Sequence, residues 1–277
     1  MTNPLSFEVL CTSNELLAPL LVHVPHSSTM ITADVRQTLL LDDVELEQEL
    51  LVMTDWYTDQ LFNHALDLGG MMFVNRCSRL VVDPERFPDD AEEVMASRGM
   101  GAVYTKTSDG RSLRQDSVGA NRQELLSRYF DPYALAMAHL VDQILDWYGH
   151  CLILDGHSFP SKPLLYELDQ ALDRPEICIG TDAFHTPVEL IREIQTLCVR
   201  EGVVAACNRP FSGTYVPLRF WLSNQRVKGI MIEVRRDLYM DETTGKPNDG
   251  FQRTHRLISR MIECAASFSS KFASDES

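Results

Sequence analysis

A chain of 277 residues, 44% of them hydrophobic and 23% charged, has the make-up of an ordinary folded protein, and it is long enough to bury a large core in a single domain over 1–277. Its 40 acidic against 25 basic side chains leave a net charge of −15. That balance excludes nucleic acid and anionic membrane surfaces as electrostatic partners, so an anionic small-molecule substrate has to find local arginines.

The start of the chain shows no basic segment followed by an apolar one, and the early apolar run 16–22 is too short for a bilayer. A cytoplasmic location is therefore expected, while the oligomeric state leaves no trace in the sequence. Short apolar runs alternate with longer segments of helical period, the signature of an α/β sheet covered on both faces. In chain order, strands are expected at 20–24, 71–74, 80–82, 152–154, 177–179, 203–206 and 230–234.

Between the first two strands, Leu61, Phe62, Ala65 and Leu66 mark a helix over 55–68 that Gly69-Gly70 stops. The stretch 83–119 is polar, holds Pro84, Pro88 and several glycines, and shows no period; it reads as a long functional loop or lid. A helix over 124–148 follows through Leu125, Tyr129, Leu140, Ile144 and Leu145. Another opens at Thr186-Pro187, a cap residue followed by proline, with Glu189 three residues beyond the cap and Gly202 closing it. The last residues, 269–277, are small and polar and are expected to fray. Cys11, Cys77, Cys151, Cys178, Cys198, Cys207 and Cys264 are odd in number and form no C-x-x-C pair, so they read as packed thiols.

Four of the expected strands end on polar residues, and in open α/β sheets such ends converge on one crevice. "LLVHVPHSS" ends on His23 and His26, "MMFVNR" on Asn75 and Arg76, "CLILDGHS" on Asp155 and His157, and "GIMIEVRRD" on Glu233 and Arg235. His26 and His157 offer two imidazole nitrogens to one divalent metal, and a carboxylate as third ligand leaves a position open, the pattern of a catalytic zinc site. Asp55 in "TDWYTD" is either that third ligand or the N-cap of the helix it precedes, and both roles are compatible. For His23 a hydrogen-bonded core position fits better, since side chains alternate along a strand. His64, His139, His150, His185 and His255 read as surface or packing residues.

Glu233 is flanked by apolar residues in "IMIEV". It is either a general base whose pKa burial raises, or half of a buried ion pair with Arg235 or Arg236. Asp155 either orients a site imidazole or makes the turn before Gly156. Arg76, Arg79 and Arg86 flank the polar loop, where guanidinium groups suit either a substrate carboxylate or surface ion pairs.

The segments "VPHSS", "TDWYTDQLF", "SRLVVDPERFPDD", "LDGHS", "IGTD", "NRPFSGTYV" and "LYMDE", in this order over 25–242, resemble the N-formylglutamate amidohydrolases. Those enzymes release formate and glutamate from N-formylglutamate in histidine degradation. The resemblance implies a three-layer mixed sheet between helices, similar to the zinc carboxypeptidases. It further implies Zn2+, or another divalent metal, on His26 and His157 with Asp55 as third ligand, and Glu233 as base. Arg79, Arg86 and Arg209 fall where substrate carboxylate contacts are expected. The chain departs from the family pattern at Pro84-Glu85, where Leu-Asn is expected, at Val234-Arg235-Arg236 and at His23. These departures bear on the substrate and leave two alternatives: an aspartoacylase-like deacylase of a larger N-acyl amino acid, or a non-catalytic ligand-binding protein.

Overall fold

Apolar runs rich in β-branched residues become the strands of one mixed sheet. The structure, a computed structural model of the chain, describes residues 6–12, 18–114 and 118–272. Its strands are β1 (Phe7–Leu10), β2 (Leu20–Val24), β3 (Met71–Asn75), β4 (Cys151–Phe159), β5 (Ile177–Gly180), β6 (Ala205–Cys207) and β7 (Val227–Arg235). Across the sheet they lie in the order β1-β3-β2-β4-β7-β5-β6. Strands β3, β2, β4 and β7 are parallel, whereas β1 and β5 run antiparallel to β3 and β7.

Helices α1 (Ala33–Arg36), α2 (Asp43–Met53), α3 (Thr58–Leu61) and α4 (His64–Asp67) precede β3. Helices α5 (Val118–Leu125) and α6 (Asp131–Tyr148), joined by a π-helical turn at Leu126–Phe130, precede β4. Helices α7 (Val188–Glu201) and α8 (Phe251–Phe272) complete the set.

Because side chains alternate across a strand, each parallel strand feeds two cores. On one face Leu20, Val22, Leu152, Leu154, Ile230 and Ile232 pack with Leu61, Phe62 and Ala65 and with apolar residues of α7 and α8. On the other, Leu21, Ile153 and Val227 pack with Tyr133, Met137, Val141 and Ile144 of α6. The chain thus passes from β2 to β3 under one layer and returns over β2 to β4 under the other. The winding reverses between β2 and β4, and in such sheets the crevice opens beyond the carboxyl ends of the two strands at the reversal.

The structure departs from the expected elements in places. Residues 80–82 form a buried turn instead of a strand, because the Arg114 guanidinium donates to the carbonyls of Leu80 and Val81 and so occupies the acceptors a strand neighbour would use. The helix expected over 55–68 is two short helices, entered through Tyr57 at φ 63° and interrupted where Phe62 packs under Gly156. A side chain at Gly156 would lie 3.0 Å from that ring, so the strand and the Phe62 turn meet only because the residue is glycine.

Helix α7 starts one residue later than expected, since the Thr186 hydroxyl accepts from the Asp182 amide instead of capping it; Gly202 ends it at φ 66°. Strand β1 and helices α2 and α8 were not anticipated. Helix α8 takes in the first part of the tail expected to fray, and 273–277 lie outside the described residues. The polar stretch is tied down by its own core: Met95, Met100, Tyr104 and Leu113 pack with Leu39, Leu41, Leu46 and Met53. Residues 115–117 of it lie outside the described residues. None of the seven cysteines is disulfide-bonded, and Cys77, Cys151, Cys178 and Cys198 are buried. Among the described residues, no helix is long and apolar enough to cross a membrane.

Candidate metal centre and active site

Strand register sets the site. His157 of β4 lies beside Glu233 of β7, and Asp155 beside His23 of β2, so all four project from the α6 face near the carboxyl ends of their strands. His26 lies just beyond β2, in a loop held by the Asn75 side chain, which donates to the Pro25 carbonyl at 2.9 Å. Asp55 joins from the segment between α2 and α3, its amide donating to the His26 carbonyl at 3.0 Å.

Three ligand atoms converge. His26 Nδ1 and His157 Nδ1 are 3.3 Å apart, and Asp55 Oδ2 is 3.1 Å from the second and 3.7 Å from the first. Ligands at zinc distances on a tetrahedron stand roughly 3.3–3.5 Å from one another. The far nitrogens match the donor chemistry of such a site. Asp83 Oδ1 lies 2.9 Å from His26 Nε2, and Asp155 Oδ1 lies 3.0 Å from His157 Nε2. With each Nε2–H given to a carboxylate, both Nδ1 lone pairs face the same point as the Asp55 oxygen, an arrangement that a cation stabilises. The residues present therefore fit a divalent metal.

Each ligand is fixed from behind. Arg236 donates through Nη2 to Asp55 Oδ1 at 2.8 Å and through Nε to Ser158 Oγ at 3.2 Å, which leaves Asp55 Oδ2 for the histidines. The Asp55 side chain caps no helix, so the capping alternative drops away. Asp155 also accepts from His23 Nδ1 at 2.8 Å and from the Tyr215 amide at 3.0 Å, while the Tyr133 hydroxyl donates to His23 Nε2. His23 is thus a core histidine whose hydrogen bonds brace Asp155. Asp83 binds Arg79 Nη2 at 2.8 Å and the Tyr104 hydroxyl.

Burial opposes charge on these groups, yet their contacts prevail. The neighbouring His157 and His26 imidazoles and the Arg236 charge hold Asp55 well below the usual carboxylate range, against its burial. His26 and Arg79 do the same for Asp83. Glu233 goes the other way: burial pushes it up to about 7, with the His157 charge acting against the rise. Among the described residues nothing hydrogen-bonds or ion-pairs with its carboxylate. Arg236 is committed to Asp55 and Arg235 to Asp237, so the ion-pair alternative for Glu233 does not hold.

The pocket around these groups has a volume of about 350 Å³, within the range of small-molecule sites. Arg79 and Arg86 line it. Arg79 is anchored through Nε and Nη2 and keeps Nη1, 4.0 Å from Asp55 Oδ1. The Arg86 guanidinium makes no hydrogen bond among the described residues and ion-pairs loosely, with Asp83 at 3.6 Å and Glu93 at 3.8 Å. Arg209 lies outside the pocket, half-buried, with Nη2 on Asp173. Arg76 likewise pairs away from it, with Glu8 and Asp59.

Sequence reasoning missed Asp83 and Glu85. Asp83 carries the same signal that drew attention to Asp155, an apolar run ending on an acid, but the expected strand and loop divided there. Glu85 was noticed only as a departure; its Oε1 lies 3.1 Å from His157 Nε2 and its Oε2 3.7 Å from His26 Nε2.

Comparison with known proteins adds an independent line. Residues 18–240 match the family model described as N-formylglutamate amidohydrolase. The N-formylglutamate deformylase of Pseudomonas putida is 28% identical over 232 residues, 81% of this chain and 83% of that protein. That of Pseudomonas aeruginosa is 29% identical over 253 residues, 88% of this chain and 91% of that protein. Among solved structures, the N-formylglutamate amidohydrolase from Ralstonia eutropha JMP134 superposes with a TM-score of 0.79 at 20% identity, covering 96% of this chain and 99% of that one. A gene product of Agrobacterium tumefaciens shares the fold at TM-score 0.68 and 18% identity, covering 95% of this chain and 96% of that one.

Proposed function

The chain belongs to the N-formylglutamate amidohydrolase family, and from that premise we propose that it is a metal-dependent hydrolase of N-acyl amino acids, with N-formyl-L-glutamate as its reference substrate. The observation that carries the reading is the convergence of His26 Nδ1, His157 Nδ1 and Asp55 Oδ2 beside a buried Glu233 that has no hydrogen-bond or ion-pair partner among the described residues. Zn2+, or another divalent cation, held by those three atoms would polarise the amide carbonyl and make water a nucleophile at neutral pH.

The chain's own residues supply the rest. Glu233, ionised, takes a proton from the attacking water and passes it to the amide nitrogen as the C–N bond breaks, giving a carboxylate and a free amine. Its raised pKa suits both halves of that task. Arg79, immobilised by Asp83 and Tyr104, keeps Nη1 for the charge that develops on the carbonyl oxygen. Arg86 is the lining guanidinium with hydrogen-bonding capacity left for a substrate carboxylate.

Formate release from N-formyl-L-glutamate by zinc-loaded protein, with a chelator-treated sample alongside, tests the reading. Release that the chelator abolishes is the expected result. Release that survives complete metal removal would rule out the proposed chemistry.

A further inference from the structure

The pocket changes character away from the metal ligands. Phe87 and Val94 of the polar stretch line it together with Leu218 and Trp221, and Phe130 of the π-helical turn and Ala134 of α6 add further apolar lining. Val94 is 69% exposed and Leu218 50% exposed. Apolar side chains that line a pocket while remaining in water mark a place where an apolar group binds.

This wall is held in place. Trp221 meets the edge of Phe87 at 6.2 Å between ring centroids, and it stacks on buried His185 at 5.9 Å. His185 in turn fixes the Trp221 segment: its Nδ1 donates to the Val227 carbonyl at 2.7 Å, and its Nε2 accepts from the Leu222 amide at 3.0 Å. An aromatic surface fixed before binding loses little freedom when a ligand arrives.

The charges point the same way. Of the guanidinium groups that line the pocket, Arg236 is committed to Asp55, Ser158 and Val52, and Arg79 to Asp83 and Tyr104. Among the described residues the Arg86 guanidinium alone of the three makes no hydrogen bond, its ion pairs with Asp83 and Glu93 being 3.6 and 3.8 Å long. The same lining carries the carboxylates of Glu85, Glu92 and Glu93. One available guanidinium suits one substrate carboxylate, and a second carboxylate would meet like charge. N-formyl-L-glutamate has two carboxylates and little apolar surface.

We propose that the preferred substrate is an N-acyl amino acid with a single carboxylate and an apolar group, which Phe87, Val94, Leu218 and Trp221 receive. The inference rests on the reaction proposed above and changes only the compound on which it acts. The apolar group can belong to the amino acid side chain or to the acyl chain, and the experiment separates the two.

Binding should be measured by calorimetry on the zinc-loaded Glu233→Gln variant, in which turnover is slowed relative to binding. One series is N-formyl-glycine, -alanine, -norvaline and -norleucine; the other is N-acetyl-, N-butanoyl- and N-hexanoyl-glycine; N-formyl-L-glutamate is the reference. In at least one series Kd should fall about fourfold for each methylene that reaches the wall, and the series that responds identifies the source of the apolar group. The longest member of that series should bind more tightly than N-formyl-L-glutamate. Replacing Val94 and Leu218 by serine, exposed positions where such a change costs little stability, should flatten the response. Flat or weakening Kd in both series, with N-formyl-L-glutamate the tightest ligand, would overturn the proposal. Turnover of these compounds by the wild-type protein is a separate readout, so loss of the proposed reaction and loss of the apolar subsite are distinguishable.

Discussion

The two faces of the central strands carry different duties. Toward α7 and α8, Val22, Leu152, Leu154, Ile230 and Ile232 are apolar and buried, and the polar exceptions are Lys228 at the start of β7 and Ser158 near the end of β4. Toward α6 the same strands begin apolar, at Leu21, Ile153 and Val227, and end on His23, Asp155, His157 and Glu233. Neighbouring residues such as Ile232 and Glu233 are therefore built for opposite purposes. One face supplies stability for most of its length. The other supplies it for half its length and, in the proposed mechanism, gives its last positions to chemistry, at the strand ends where the winding reverses.

Substitutions on the two faces should separate cleanly. Glu233→Gln removes the base while keeping its shape, and kcat should fall by about 10²–10⁴ with zinc content, measured on the purified variant, unchanged. Its neighbour Ile232→Ala should do the reverse, lowering unfolding free energy by about 2–5 kcal/mol in denaturant titrations while the folded fraction keeps its kcat. If Ile232→Ala slowed the folded enzyme as much as Glu233→Gln does, the division between faces would be wrong.

A finer comparison lies within the polar half. Asp83 touches no substrate in this account and only braces His26 and Arg79, so Asp83→Asn should weaken zinc affinity by about 10–100-fold, as read by competition with a chromogenic chelator. At saturating zinc much of its activity should return.

The smallest effect is the pH profile. A base works in its ionised form, so kcat/KM should rise with pH through the Glu233 pKa and level off above it. Burial sets that value at about 7, and a cation beside the carboxylate favours ionisation, so the acid limb should lie at or below that value. A profile that falls across that limb as pH rises would contradict the role of Glu233 as base.

How far the sequence reveals this design follows from range. The α/β class, most of the strands and the helix 124–148 show in local periodicity, because each is set by its own residues burying one side. His26, His157, Asp155 and Glu233 stand out in the sequence for a related reason: each lies at or just beyond the carboxyl end of an apolar run. The turn at 80–82 was not, since what makes it a turn is Arg114, more than 30 residues away, taking its carbonyls. The parts played by Asp83, Glu85 and Arg236 were hidden for the same cause: each depends on which distant side chain it meets. Arg209 shows the converse, as its motif resembles a family segment while its side chain turns to Asp173 on the surface.

The most direct test of the account is zinc content after equilibrium dialysis of wild-type protein and of His26→Ala, His157→Ala and Glu233→Gln. One zinc per chain in the wild type and in Glu233→Gln, and loss of it in both histidine variants, is the predicted result. Zinc retained by the histidine variants, or no stoichiometric zinc in the wild type, would contradict a metal centre at the polar ends of β2 and β4.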